Sequence, residues 1–145
     1  MKVAEALILK SDLRKRIEQI RDRLVKNAKV QEGDAPGEKP EDLLMELDRL
    51  LTDYESLIRR ITAANQTAAA GSGTLADLIV QKKLLTIKQN YYEKMSIRAG
   101  YEKSLFGGWK QSSPAKLYAE LERIKEEVHK LDTAIQQLNW QIELQ

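Results

Sequence analysis

One residue pair near the end of the chain resembles a metal-binding motif. Glu126 and His129 form a Glu-x-x-His sequence, which is the spacing found in di-iron helical bundles. Such a site needs a second Glu-x-x-His and two further carboxylates facing the bundle interior, but His129 is the sole histidine of this sequence. It also follows directly after Val128, a member of an apolar helical stripe, and is expected to face water. The sequence therefore predicts no metal site and no metal cofactor.

Other catalytic chemistries find equally little support. The chain has no cysteine, which excludes disulfides, zinc–thiolate sites and a cysteine nucleophile. A serine-based triad would require the fold to bring a serine and an acid to His129. The sequence contains no nucleophile-elbow motif, no phosphate-binding loop and no dinucleotide fingerprint. We therefore predict no catalytic residues, no cofactor and no enzymatic activity.

Basic residues near the N-terminus raise the alternative of nucleic-acid binding. Lysine and arginine side chains bind the phosphates of nucleic acids. Six of them lie in the first helical segment: Arg14, Lys15, Arg16, Arg21, Arg23 and Lys26. The whole chain, however, carries a net charge of only +2 and shows no recognition-helix motif. Nucleic-acid binding is therefore kept as the second alternative function.

A heptad pattern in the last third of the chain predicts the element that dominates the fold. Its apolar residues are spaced alternately four and three apart, so they lie on one stripe of a helix. These residues are Leu117, Leu121, Ile124, Val128, Leu131, Ile135, Leu138 and Ile142. A stripe of this length must lie against other helices, either in the same chain or in a second copy.

Similar stripes and chain-breaking residues predict four helices, at about residues 2–28, 40–65, 74–100 and 113–143, where the third helix either ends at Gly100 or continues for one or two further turns. Pro40 suits a first helical position, and Thr74 with Asp77 has the spacing of a capping box. Residues 67–73 are predicted to be a flexible linker. With 32% charged and 6% aromatic residues, the composition is typical of long amphipathic helices. We predict one all-α domain over residues 1–145, with four long helices as two antiparallel coiled-coil hairpins forming an elongated bundle.

The apolar patterns of helices two and three predict where each helix packs. Leu44, Leu51 and Ile58 widen the stripe of helix two, which predicts a central position for this helix. Helix three has the least regular pattern, because Lys82 and Gln89 interrupt it. Its inward-facing residues are predicted to be Leu75, Leu78, Ile79, Leu85, Tyr92 and Met95.

Charges predict how helices one and two align. The first helical segment is basic and the second is acidic, which favours a hairpin between them. In an antiparallel arrangement, one register brings Arg16 to Asp53 and Arg23 to Glu46. We predict that both ion pairs form. Each exposed pair contributes about 0–1 kcal/mol, so the pairs specify the register more than they stabilise it.

Four aromatic residues are candidate anchors for an oligomer or partner interface. Trp140 lies opposite the apolar seam of helix four, so a single intramolecular seam leaves it exposed. Trp109 lies in a glycine-bounded loop and is either a plug over the bundle end or an anchor for a partner. Tyr91 and Tyr101 lie in a second basic and aromatic stretch and are expected to face a partner or a neighbouring subunit.

Several segments of the chain resemble the septicolysin-like family of small bacterial proteins. For most of its members this domain has no known function. The resemblance rests on Asn27-Ala-Lys-Val-Gln-Glu-Gly33, Pro40-Glu-Asp-Leu-Leu44, Gly73-Thr-Leu-Ala-Asp77 and the Leu131-Asp132 … Asn139-Trp140 ending. The family name implies a membrane-active cytolysin. Its first segment is a candidate partner surface, comprising Asn27, Lys29, Gln31, Glu32 and Gly33. The alternative is that Asn27 and Gly33 merely end helix one and turn the chain.

Together these features predict a non-enzymatic, self-associating helical scaffold protein. No signal peptide is visible, and no apolar run approaches the roughly 20 residues needed to span a bilayer, so a cytoplasmic location is expected. We expect a homo-oligomer that forms through the helical faces. A septicolysin-like, membrane-active protein is the first alternative, and it follows from the family resemblance alone.

Overall fold

Four helices and one short hairpin make up the computed structural model, which describes residues 1–28, 34–35, 37–106 and 114–145, with backbone alone for 99–106 and 114. The helices are α1 (Val3–Ala28), α2 (Pro40–Thr67), α3 (Leu75–Phe106) and α4 (Pro114–Gln141). Between α2 and α3 lie strands β1 (Ala69–Ala70) and β2 (Gly73–Thr74). The predicted all-α fold is confirmed.

The chain divides into two compact units. The first unit comprises residues 1–67 and 139–145, and α1 packs antiparallel to α2 within it. Its core contains Val3, Ala6 and Leu13 of α1 and Leu57, Ile61 and Ala64 of α2, each at the three- and four-residue spacing of a helical stripe. The predicted pairing of helices one and two is therefore observed.

A C-terminal segment completes this first core. Leu144 joins the buried cluster, and Ile142 packs against it. The backbone N–H of Val3 donates to the carbonyl of Ile142 at 3.0 Å, and the N–H of Leu144 donates to that of Met1 at 2.8 Å. Lys2 Nζ lies 2.7 Å from Glu143 Oε1. The backbone of the segment after α4 is thus hydrogen-bonded to the backbone at the start of α1. The helical patterns did not predict this contact.

The second unit comprises residues 68–138 and begins with the β1–β2 hairpin. Ala69 pairs with Thr74 and Ala70 with Gly73, which leaves a two-residue loop. Gly71 opens this loop at a φ of 63°, as the first central residue of a type II′ turn requires. The sequence patterns did not predict this hairpin within the expected linker, because strands of two residues are too short to show alternation.

The start of α3 is capped as predicted. The backbone N–H of Thr74 donates to Asp77 Oδ2 at 2.8 Å, and the Asp77 N–H donates to Thr74 Oγ1 at 3.4 Å, which is the reciprocal bonding of a capping box. A Cβ at position 73 would collide with the Asp77 carboxylate, so a larger residue there would displace this side chain from the cap. The cap therefore fixes the direction in which α3 leaves the hairpin.

Helices α3 and α4 pack as the second antiparallel pair. Lys82 Nζ lies 2.6 Å from Asp132 Oδ1, and Tyr118 Oη donates to the Ser96 carbonyl at 3.3 Å, so contacts near the start of one helix match contacts near the end of the other. All eight residues of the predicted α4 stripe are buried or half-buried in the single chain. Leu121, Ile124 and Ile135 are the most completely covered of them.

Several local predictions need correction. Helix α3 runs on to Phe106 rather than ending near residue 100, and α4 ends at Gln141. Leu44 and Leu51 are exposed, so the wide stripe of α2 is not covered as a central helix would require. Met95 and Ile79 are also exposed, because the inward face of α3 follows Leu85 and Ser96 instead.

Candidate functional site

The outer face of α3 carries an exposed apolar stripe. Val80, Leu84, Ile87 and Tyr91 are spaced four, three and four residues apart, and we call them the outer stripe. Their exposed fractions are 54%, 62%, 46% and 65%. This spacing places all four on one line of the helix, as in the a and d positions of a coiled coil. Scattered apolar side chains on a surface are ordinary, but a continuous line of them marks an interaction site.

Charged residues close the two ends of the outer stripe. The alternating spacing of three and four residues continues at both ends of the stripe. It reaches Asp77, three residues before Val80, and Lys94, three residues after Tyr91. Both side chains are exposed. The sides of the stripe are basic, with Lys83 and Lys88 also exposed. The surface therefore has an apolar centre, an acidic end, a basic end and basic edges.

An open concavity adjoins the acidic end of the outer stripe. It has a volume of about 620 Å³ and lies between the β1–β2 loop and the first turns of α3. Gly71 and Gly73 line one side, while Asp77, Val80 and Gln81 line the other. Because Val80 belongs to both features, the stripe leads directly into this concavity.

The inward face of α3 is more polar than its outer stripe. Lys82 and Gln89 are half-buried there, and Ser96 is 5% exposed. The Lys82 ammonium hydrogen-bonds Asp132 and thereby lowers the pKa of that carboxyl below its ordinary value, against a smaller opposing effect of burial. Within the described residues, Ser96 Oγ has no hydrogen-bond partner. Leu75, Leu78, Leu85 and Tyr92 are also buried or half-buried, so α3 carries apolar residues on its inward face in addition to the exposed outer stripe.

The candidate loop surface is represented in the structure by Asn27, while Lys29, Gln31, Glu32 and Gly33 lie outside the described residues. Asn27 Nδ2 donates to the Arg23 carbonyl at 2.8 Å, and Asn27 Oδ1 accepts from the Glu38 N–H at 2.9 Å. The side chain thus joins the last turn of α1 to the segment before α2. This arrangement supports the interpretation that Asn27 ends helix one and turns the chain.

Arg23 strengthens the same connection. Its Nε donates to Glu38 Oε2 at 3.0 Å, and the guanidinium lowers the pKa of the Glu38 carboxyl below its ordinary value. Arg23 Nη1 also lies 3.6 Å from Glu46 Oε1, which is the pair that the hairpin register predicted. In the described part of the chain, no ion pair joins Arg16 to Asp53. The contact of Arg23 with Glu38 was missed, because Glu38 lies in a loop without a heptad position.

The candidate aromatic anchors fall into two groups. Trp140 is 54% exposed and Tyr91 is exposed on the outer stripe, which makes both accessible to a partner. Trp109 and the side chain of Tyr101 lie outside the described residues. Tyr91 is therefore the sequence-predicted anchor that the structure places in an apolar surface.

The residues that the structure describes contain no metal-binding cluster and no helix that could span a membrane. His129 is exposed, as its heptad position predicted. Within the described ranges, no three His, Cys, Asp or Glu side chains come together in a way that could hold a metal ion. Nor does any helix of that part of the chain combine the length and apolarity needed to cross a bilayer.

The outer stripe itself was missed at the sequence level, although its spacing is visible there. Val80, Leu84, Ile87 and Tyr91 have the 4-3-4 spacing of a heptad seam. The inward residues of α3 form a second seam on the opposite side of the same helix. Because the two seams overlap in the sequence, neither stands out, and α3 looked irregular.

Comparisons with known proteins identify relatives but no activity. No curated protein matches the chain. A crystal structure of a functionally unknown conserved protein from Corynebacterium diphtheriae is similar, with 30% sequence identity and a TM-score of 0.92. The similarity covers 100% of this chain and 99% of that one. No comparison links the chain to septicolysin, whereas the expected membership of a family of unknown function is confirmed. A model described as "Family of unknown function (DUF6847)" matches residues 10–144, and the chain belongs to that family.

Proposed function

We propose that this protein is a non-enzymatic helical interaction protein that self-associates through the outer stripe of α3 and acts as a cytoplasmic scaffold. The observation that carries the proposal is the exposure of Val80, Leu84, Ile87 and Tyr91 along one line. Apolar residues on the inward face of α3, such as Leu75 and Leu85, already supply its packing within the chain. Folding of the single chain does not require apolar residues on the outer line, so their presence there fits a function that involves contact.

The size of the surface fixes the expected strength of association. Each outer-stripe side chain is about half exposed. Covering the remainder contributes about 1 kcal/mol per side chain, which is roughly half of a full burial. Four side chains on each of two copies give about 8 kcal/mol, while association itself costs about 4–15 kcal/mol. We therefore expect a concentration-dependent dimer rather than a permanent one.

Light scattering on a sizing column tests the proposal directly. The native mass should rise with protein concentration from 16.6 kDa towards twice that value. Leu84→Lys should hold the protein at the monomer mass, because it places a charge in the centre of the stripe. Leu44→Lys is the matched control, since Leu44 is a similarly exposed leucine outside the stripe. A wild type that stays monomeric at every accessible concentration would refute self-association.

A membrane-active, septicolysin-like role is the alternative that a specific observation favours. An apolar line flanked by Lys83 and Lys88 is typical of helices that lie in the interface of an anionic membrane. Release of dye from anionic vesicles, abolished by Leu84→Lys, would support this role. Vesicles that remain sealed would leave the scaffold proposal standing.

Nucleic-acid binding has weaker support. Several cations of α1 already have acidic neighbours, since Arg14 lies 3.6 Å from Glu18 and Arg23 is bonded to Glu38. Binding to duplex DNA that weakens steeply with added salt would be required to favour it.

A further inference from the structure

We propose that two copies pair through α3 in an antiparallel arrangement with one defined register, an inference that rests on the proposed self-association and specifies its geometry. The outer stripe and its charged ends occupy successive a and d positions of one heptad frame. In this frame Asp77, Leu84 and Tyr91 are a positions, and Val80, Ile87 and Lys94 are d positions.

The order of these residues is self-complementary when one copy is reversed. In an antiparallel pair, a positions of one helix meet d positions of the other. One register then places Leu84 against Ile87 and Val80 against Tyr91 of the second copy. The same register ends with Asp77 facing Lys94. The four apolar layers are thus flanked at each end by a pair of opposite charges. A two-fold axis relates the two copies.

A parallel arrangement lacks this complementarity. It would stack each residue on its own counterpart, so Asp77 would face Asp77 and Lys94 would face Lys94. Like charges that are held opposite each other destabilise a helical pair. Charge complementarity therefore favours the antiparallel pair and a second copy of this chain as the occupant.

The surroundings of the stripe fit the same arrangement. Val80 lines the open concavity at the β1–β2 hairpin. In the antiparallel register, the Val80 layer receives Tyr91 of the second copy, which is the largest side chain of the stripe. The concavity gives that ring space beside the hairpin glycines. At the edges, Lys88 faces Gln81 of the second copy rather than another cation, so the basic edges do not oppose each other.

Cysteine cross-linking tests the register, and the absence of native cysteine makes single variants unambiguous. Val80→Cys and Tyr91→Cys chains, carrying tags of different length, are co-expressed and oxidised. We expect a disulfide-linked heterodimer on a non-reducing gel. Val80→Cys alone should not cross-link, because the two cysteines would lie about 16 Å apart along the helix axis, at 1.5 Å per residue. Disulfides form only when the Cα atoms approach within about 7 Å.

A charge variant supplies an independent readout. Gln81→Glu should tighten the dimer by up to about tenfold in Kd, because each new carboxylate faces Lys88 of the second copy. Adding Lys88→Gln should abolish that gain. In a parallel pair Gln81 would face Ala76, and no gain is expected.

The possible outcomes separate this inference from the function on which it rests. Cross-linking of Val80→Cys with itself, together with no effect of Gln81→Glu, would overturn the antiparallel register while leaving self-association intact. A wild type that remains monomeric would overturn both. The heterodimeric cross-link together with tighter association of Gln81→Glu would establish the proposed geometry.

Discussion

Leu144 offers a direct test of the C-terminal segment as a structural element. Its side chain is 8% exposed and belongs to the same buried cluster as Val3 and Ile61. Its backbone N–H donates a hydrogen bond to the carbonyl of Met1. Leu144→Ala should therefore destabilise the first unit as a core substitution would.

The magnitude follows from what the substitution removes. Leucine to alanine deletes three carbon groups, each contributing about 0.8 kcal/mol when buried, so the transfer loss is about 2.4 kcal/mol. A residual cavity raises the cost in a rigid core, where such changes reach about 2–5 kcal/mol. Leu144 reaches the core from a short segment outside any helix, which can relax around a smaller side chain, and we expect about 2–3 kcal/mol. In urea this corresponds to a midpoint lowered by about 1 M or more.

Urea unfolding followed by circular dichroism provides the assay. Leu44→Ala removes the same atoms from an exposed position of α2 and should cost less than about 1 kcal/mol. If Leu144→Ala and Leu44→Ala shift the midpoint equally, the segment after α4 does not contribute to the core. The packing of Leu144 against α1 and α2 would then be refuted.

Three further substitutions probe polar contacts. Asp132→Asn should lower the unfolding free energy by up to about 1 kcal/mol at neutral pH. Lys82 lowers the pKa of Asp132, so the contribution of this ion pair to stability is present above the ordinary carboxyl pKa and is lost as the pH falls through the lowered pKa. The unfolding free energies of the variant and the wild type, measured in urea at a series of pH values, should therefore converge in acid. Ser96→Ala should be neutral or stabilising by up to about 1 kcal/mol in urea, because it removes a buried hydroxyl that has no hydrogen-bond partner among the described residues; a clear loss would indicate a bond to that hydroxyl. Asn27→Ala should cost about 1 kcal/mol in the same assay, through the lost bond to Glu38, and should leave the native mass unchanged.

Features set by residues close in sequence were predictable. The capping box of Thr74 and Asp77 depends on a spacing of three residues. The covered stripe of α4, with Leu121 and Ile124 among its buried members, depends on a repeat that continues for the whole helix. The pair of Arg23 and Glu46 required only the additional assumption of an antiparallel hairpin. The cap and the stripe follow from local rules, whereas the hairpin register also predicted a pair of Arg16 with Asp53 that these two described residues do not form.

Features that join distant residues were not predictable in this way. The contact between Leu144 and α1 links opposite ends of the chain through backbone bonds, and backbone bonds leave no residue pattern. The partners of Arg23 include Glu38, whose position depends on how the loop folds back. The outer stripe was hidden for a different reason, because Leu84 and Leu85 are adjacent in sequence but lie on different faces of α3.

The two faces of α3 lead to opposite expectations for stability and association. The inward face contains Ser96, whose replacement by alanine should leave the native mass unchanged, whether unfolding in urea is unaffected or moves to higher denaturant. The outer face contains Leu84, which is 62% exposed and contributes little to the folded single chain. Leu84→Lys should therefore change the native mass with little effect on unfolding measured in dilute, monomeric protein. If one substitution alters both properties, the separation of folding and contact between the two faces of this helix is wrong.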